Sequence, residues 1–163
     1  MTVTTHYGSL VGAIKQSAVY QQVDSAYESA VDQVIVRDTI TLAAAPVNDL
    51  VQVAVNIGWD SILDPDGCKV HWAALGGGSE LSFGDLNYPA ALDAAFATNA
   101  AGSQTLLSAI GIGSYYQPLW QQLGFASLAA AQAISQQATL VFTVLGAAAT
   151  GVVTWQLKGQ LRE

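Results

Sequence analysis

The stretch on which the fold turns is ATLVFTVLGAAATGVVTWQL, residues 138–157. Residues 138–155 hold no charged side chain, and a run of about 18 apolar residues is the shortest that reads as a membrane-spanning helix. Its pattern is wrong for a helix. Leu140, Phe142 and Val144 alternate with Thr139, Val141 and Thr143, and Val153, Trp155 and Leu157 alternate with Val152, Thr154 and Gln156. Side chains of a strand repeat every second residue, those of a helix every 3.6. Gly146, three alanines and Gly151 lie between the two runs. The spacing predicts a closing β-hairpin with strands at 139–145 and 152–157, and no membrane span.

The same period extends outward. Residues 33–43 are rich in β-branched side chains, and Val51, Val53, Val55 and Ile57 share one face of a strict alternation. In residues 68–73, Cys68, Val70 and Trp72 lie opposite Lys69 and His71, and a shorter strand is predicted at 80–84. Turn residues separate these runs: Pro46-Val47-Asn48-Asp49, Asp64-Pro65-Asp66-Gly67 and Gly76-Gly77-Gly78-Ser79. The middle of the chain reads differently. Residues 90–99 are rich in Ala, with Leu92 and Phe96 spaced i, i+4, and predict a helix. Two further short helices are predicted at 116–123, stopped by Gly124, and at 127–134, with Ser127 as N-cap. The expected fold is mainly β: an antiparallel β-sandwich, jelly-roll-like, with a helical and loop insertion and an extended N-terminal arm. The arm is placed at residues 1–30 and the sandwich at 31–163, with its insertion at about 88–137.

Charge sharpens the reading. Charged residues are 10% of the 163, against roughly 25% in ordinary soluble proteins. Five Lys+Arg against twelve Asp+Glu give −7, and residues 94–157 contain no Asp, Glu, Lys, Arg or His. A domain of this size exposes on the order of 7,700 Å². So few charges cover that surface thinly, and part of it is expected to meet protein. No Lys/Arg cluster is present to neutralise phosphates, so nucleic acid is not an expected partner. A hydrophobic content of 52% argues against disorder, and the lone Cys68 excludes an intrachain disulfide. The start, Met1-Thr2-Val3-Thr4-Thr5-His6-Tyr7, has neither a basic n-region nor a long apolar core, so no signal peptide is expected there.

Catalytic chemistry is poorly supplied. His6 and His71 are the only histidines, and no Gly-x-Ser-x-Gly elbow offers a nucleophile to either. Asp60, Asp64 and Asp66 suggest calcium, but setting Gly67 at the sixth position of an EF-hand loop puts Ile62 first and Ala73 twelfth. A turn is the simpler account. Gly76-Gly77-Gly78 lacks the Lys-Ser/Thr of a phosphate loop. No catalytic, cofactor-binding or metal residue is therefore assigned, and no enzyme activity or cofactor is expected. Tyr115, Tyr116, Trp120 and Phe125 fall in an uncharged, Gln-rich stretch, and interfaces favour such side chains. With Tyr7 and Tyr20 of the arm they are the candidate interface residues. Packing over the core, or stacking against a sugar, would use the same aromatic rings.

Several segments together resemble a known group. Thr5-His6-Tyr7-Gly8 precedes a long polar lead into Val34-Ile35-Val36-Arg37-Asp38-Thr39-Ile40-Thr41-Leu42-Ala43. A strand, then Leu81-Ser82-Phe83-Gly84-Asp85, an Ala-rich stretch through Phe96 and the closing pair of strands follow in order. This order resembles small head structural proteins of tailed bacteriophages and prophages, of the decoration or minor capsid type. Leu63-Asp64-Pro65-Asp66-Gly67-Cys68 departs from their Leu-Pro-x-Gly-Ala lead, being longer and more acidic. The resemblance implies a non-enzymatic virion protein, made in the bacterial cytoplasm and resident on the phage head. Its implied partners are further copies of itself, trimers among the forms expected, and the major capsid protein. A carbohydrate- or receptor-binding virion module is the alternative.

Overall fold

A computed structural model describes residues 5–7 and 33–161 of the chain. Most of the expected arm, Tyr20 included, lies outside the described residues, as does the side chain of Tyr7. Ten strands are described. They are β1 (Thr5–Tyr7), β2 (Gln33–Ala45), β3 (Leu50–Ile57), β4 (Ile62–Leu63), β5 (Lys69–Trp72), β6 (Glu80–Asp85), β7 (Tyr88–Ala97), β8 (Gly102–Thr105), β9 (Ala138–Leu145) and β10 (Ala149–Gln160). One sheet runs β1-β3-β9-β6-β7 and the other β2-β10-β5-β8, with β4 also on β10. All pairings are antiparallel except that of β1, which lies parallel to β3 with Thr5 opposite Leu50.

From β2 onward every connection crosses from one sheet to the other, apart from the short β4–β5 step and the β6–β7 hairpin. Two four-stranded sheets wound in this way make an eight-stranded jelly roll, with β1 added at one edge. The mainly β sandwich expected from the alternation is the fold of the chain.

The closing stretch departs from expectation in one respect. β9 and β10 are strands, with Leu140, Phe142, Val144, Trp155 and Leu157 buried as the alternation requires. They do not pair with each other. β9 lies between β3 and β6, and β10 between β2 and β5. The Gly146–Ala148 connection is an arch between the sheets. Alternation fixes which face of each strand is apolar, and an arch buries both faces against each other across the core. Phe142 and Trp155 meet there with ring centroids 5.9 Å apart, and Phe83 flanks Phe142 at 5.2 Å.

A second expectation is overturned. Residues 90–99 belong mostly to β7, not to a helix. Leu81 pairs with Phe96 and Phe83 with Asp93, and Leu92 is fully buried. Ladder pairing and core packing outweigh the helix propensity of Ala, which is a weak local preference. The register slips between Phe83 and Asp85, where β7 bulges at its Pro89 end. An edge strand tolerates both features. The insertion accordingly narrows to residues 106–137. It holds a 3-10 turn (Ile112–Ser114) and two short helices, α1 (Leu119–Gln122) and α2 (Leu128–Gln132). Ser127 caps α2 as expected, its hydroxyl accepting the Ala130 N–H at 3.1 Å.

Candidate contact surface

The insertion is bound down to one end of the sandwich through its backbone. Leu119 N–H donates to the Ser61 carbonyl at 2.7 Å and Trp120 N–H to that of Trp59 at 3.2 Å. The Trp59 indole in return donates to the Ser135 carbonyl at 2.8 Å. Leu106, Leu107, Leu119 and Ala131 supply its buried side. A loop held by both ends and its middle presents its outer residues in a set geometry.

The four aromatic candidates in the insertion divide. Tyr115, Trp120 and Phe125 are half-buried and pack against the core. Phe125 sits between Trp59 and Tyr88, with centroids 5.4 and 5.2 Å away and both contacts edge-on. Tyr116 alone is exposed, at 58%, on a backbone of positive φ (60°) that bulky side chains rarely adopt. Its companion is Ile112, 85% exposed between Gly111 and Gly113. Ile134 at the far end of the insertion, and Leu86 and Tyr88 at the β6–β7 turn, are exposed as well. Leu86 bonds the Thr139 carbonyl and Tyr88 touches Phe125, so this turn adjoins the insertion. Sequence reasoning by aromatic content missed Ile112, Leu86 and Ile134. A large aliphatic between two glycines in a charge-free stretch was the signal available for Ile112.

Charge is sorted by face. Arg37, Lys69, His71 and Lys158 all stand on the outer side of the β2-β10-β5-β8 sheet, where Arg37 lies opposite Gln156, Gln156 opposite Lys69, and His71 opposite Thr154. The Arg37 guanidinium donates to the Gln156 side-chain carbonyl rather than to a carboxylate. Lys69 and His71 are exposed as their alternation predicts. Asp64 accepts the Asp66 N–H at 3.0 Å, so its acid serves the turn. Among the described residues no group of three or more His, Cys, Asp or Glu comes together as a metal site, and no helix is long and apolar enough to cross a membrane. Cys68 is buried, and desolvation pushes its thiol up to about 12, well away from thiolate chemistry.

Asp93 of β7 ties the parts together. Its carboxylate accepts from the Gln104 amide on β8 of the opposite sheet and from the Ser108 hydroxyl at the start of the insertion. It is buried, and desolvation raises its pKa, only partly offset by those two donors. The folded state therefore keeps this proton to a higher pH than the unfolded chain does. The stability contributed is fully present below the ordinary carboxyl value of about 3.9 and is lost as pH rises through the folded value. Asp93→Asn is expected to remove that slope, so the urea midpoints of the two proteins should diverge in the variant's favour from pH 4 towards pH 7. A constant difference across that range would show that Asp93 does not titrate in this way.

No protein-family model matches the chain, and no curated protein or solved structure matches it.

Proposed function

We propose that the protein is a structural component of a phage virion, a capsid decoration or stabilisation protein that self-associates and binds the head shell. The jelly roll narrows the field only to a class, since capsid, lectin and cupin domains all use it. The surface carries the reading. Ile112 and Tyr116 stand 85% and 58% exposed on an insertion that has no charged side chain yet is hydrogen-bonded firmly to the sandwich. Burying a side chain of this kind is worth roughly 1.5–3 kcal/mol, which free protein forgoes and a bound subunit gains. The insertion is thus the shell-facing contact, with residues 1–30 as a second tether. The net charge of −7 disfavours adhesion to packaged DNA.

On this reading the partner is the major capsid protein of the same phage, and the test uses shells assembled from it. The protein should co-sediment with them saturably. Ile112→Asp with Tyr116→Asp should weaken binding by on the order of 100-fold, because two charges would be buried without partners. Removing residues 1–30 should weaken it too. Shells that bind no protein, or bind the double variant normally, overturn the proposal. Saturable binding on a glycan array that Tyr116→Ala abolishes with the fold intact would establish the carbohydrate-binding module instead.

A further inference from the structure

The outer side of the β2-β10-β5-β8 sheet is a surface of a different kind from the insertion. Strand pairing sets two rows of side chains across it. One row reads Arg37, Gln156, Lys69 and Thr105. The next reads Thr39, Thr154, His71 and Ser103. Neighbouring strands stand about 4.8 Å apart, so Arg37 and Lys69 are rooted roughly 10 Å from each other, and the rows lie roughly 7 Å apart. Every side chain in both rows is charged or hydrogen-bonding, and all but Gln156 and Thr154 are exposed.

Charge on this face is positioned without being neutralised. The Gln156 side chain donates its amide N–H to the Gly67 carbonyl at 3.3 Å, and its own carbonyl accepts from the Arg37 guanidinium. A guanidinium held by a neutral amide keeps its full charge for an incoming anion and has already given up part of its rotamer freedom. Lys69 flanks the same Gln156 from the other side. Lys158 is left out, because it packs beside the Asp64 carboxylate, both of them crowding the Cβ position of Gly67. Neither row contains an acid. Asp38 alternates to the inner side of β2 and, like Asp49, Asp85 and Asp93, is buried, so the net charge of −7 overstates the acidity that the surface presents.

We infer that this face binds an acidic polysaccharide, whose carboxylate or sulfate groups meet Arg37 and Lys69 while its hydroxyl groups meet the Thr, Ser, Gln and His side chains around them. The make-up of the rows selects among anionic polymers. Neither row holds an aliphatic side chain or a Phe, Tyr or Trp. The face therefore offers no hydrophobic centre to a protein partner and no anchor to a membrane surface. Two cations displace too few counterions to hold nucleic acid, and the rows lack the aromatic platform on which single-stranded bases stack. A hydrated chain with many hydroxyl groups and widely spaced charges matches what the rows present, and bridging waters suit such a contact. The inference goes beyond the shell contact and shares no residue with it, so either can fail alone.

The test is surface plasmon resonance of the full chain over immobilised polygalacturonate and dextran sulfate, with neutral dextran and polyglutamate as controls. At least one of the two acidic polysaccharides should bind saturably, and both controls should bind at least about tenfold more weakly. Arg37→Gln with Lys69→Gln should lower the affinity at least about tenfold, because two charge-assisted contacts are lost. Both side chains are exposed, so circular dichroism should be unchanged. Lys69→Gln alone should lower the affinity about threefold or more, which keeps the test decisive if the double variant folds poorly. Ile112→Asp with Tyr116→Asp should bind the polymers as the wild type does. No binding to either acidic polysaccharide, equal binding of polyglutamate, or undiminished binding by Lys69→Gln overturns the inference. Binding that Tyr116→Ala abolishes and the Arg37, Lys69 double variant retains would move the sugar to the insertion, and overturns this face as well.

Discussion

Replacing Trp155 with alanine is expected to destabilise the protein by on the order of 3–5 kcal/mol, a large share of the roughly 5–15 kcal/mol that holds such a domain together. Trp155 is 1% exposed at the middle of β10 and meets Phe142 of the opposite sheet edge-on. Its indole N–H donates to the Val53 carbonyl at 3.3 Å. The register of β3 slips at that point, between Gln52 and Ala54, so Val53 sits out of the ladder with β9. One side chain therefore fills the space between the sheets and serves a carbonyl left over by a bulge. Alanine opens a cavity and strands that acceptor. Trp155→Phe keeps much of the volume and loses only the donor, so it should cost about 1–3 kcal/mol. Urea unfolding of both variants separates the two contributions. An alanine variant within about 1 kcal/mol of wild type would mean that the sheets are not coupled through this residue.

Much of this core is legible in the sequence. The faces Leu140–Phe142–Val144 and Val153–Trp155–Leu157 are buried as their alternation demands. What alternation does not encode is the partner. A hairpin and an arch both hide the apolar face, and they differ only in whether the backbone bonds run back to the same strand. The connecting Gly-Ala-Ala lacks the Asn-Gly or Asp-Gly pair that tight hairpins favour, a local hint against that reading. β7 was illegible for another reason. Its alanines favour a helix in isolation, and only β6 alongside makes them a strand. The proposed contact surface is half legible in the sequence. The missing charges between residues 94 and 157 mark an uncharged region, and of its four candidate aromatic side chains Tyr116 is the exposed one. Which aromatic rings turn inward depends on where Trp59 and Tyr88 stand, and those residues approach from distant parts of the chain. The cations show the same limit. Lys69 and His71 share a face by alternation, while Arg37 and Lys158 join them only through strand pairing.

Gly146→Val is expected to prevent folding or to cost at least about 4 kcal/mol, since two independent penalties fall on one residue. The arch begins at this position with φ at +68°, where a β-branched side chain is strained. A Cβ there would also lie 2.2 Å from the Gly78 carbonyl oxygen. Gly78 cannot easily withdraw, because its turn is tied on both sides: Ser79 N–H bonds the Gly76 carbonyl, and Thr98 N–H bonds that of Ser79. Gly124 separates the two penalties. Its φ is +83°, but nothing lies within 4 Å of its Cβ position, so Gly124→Ala should cost only the backbone strain of about 1–2 kcal/mol. Gly146→Ala should cost clearly more than that, because it carries the same strain and the clash together. Equal losses for the two alanine variants would mean that the β5–β6 turn yields freely and does not brace the arch. A larger loss at Gly146 would establish that β9 and β10 are held in opposite sheets by the tight seat of their connection as well as by their apolar faces.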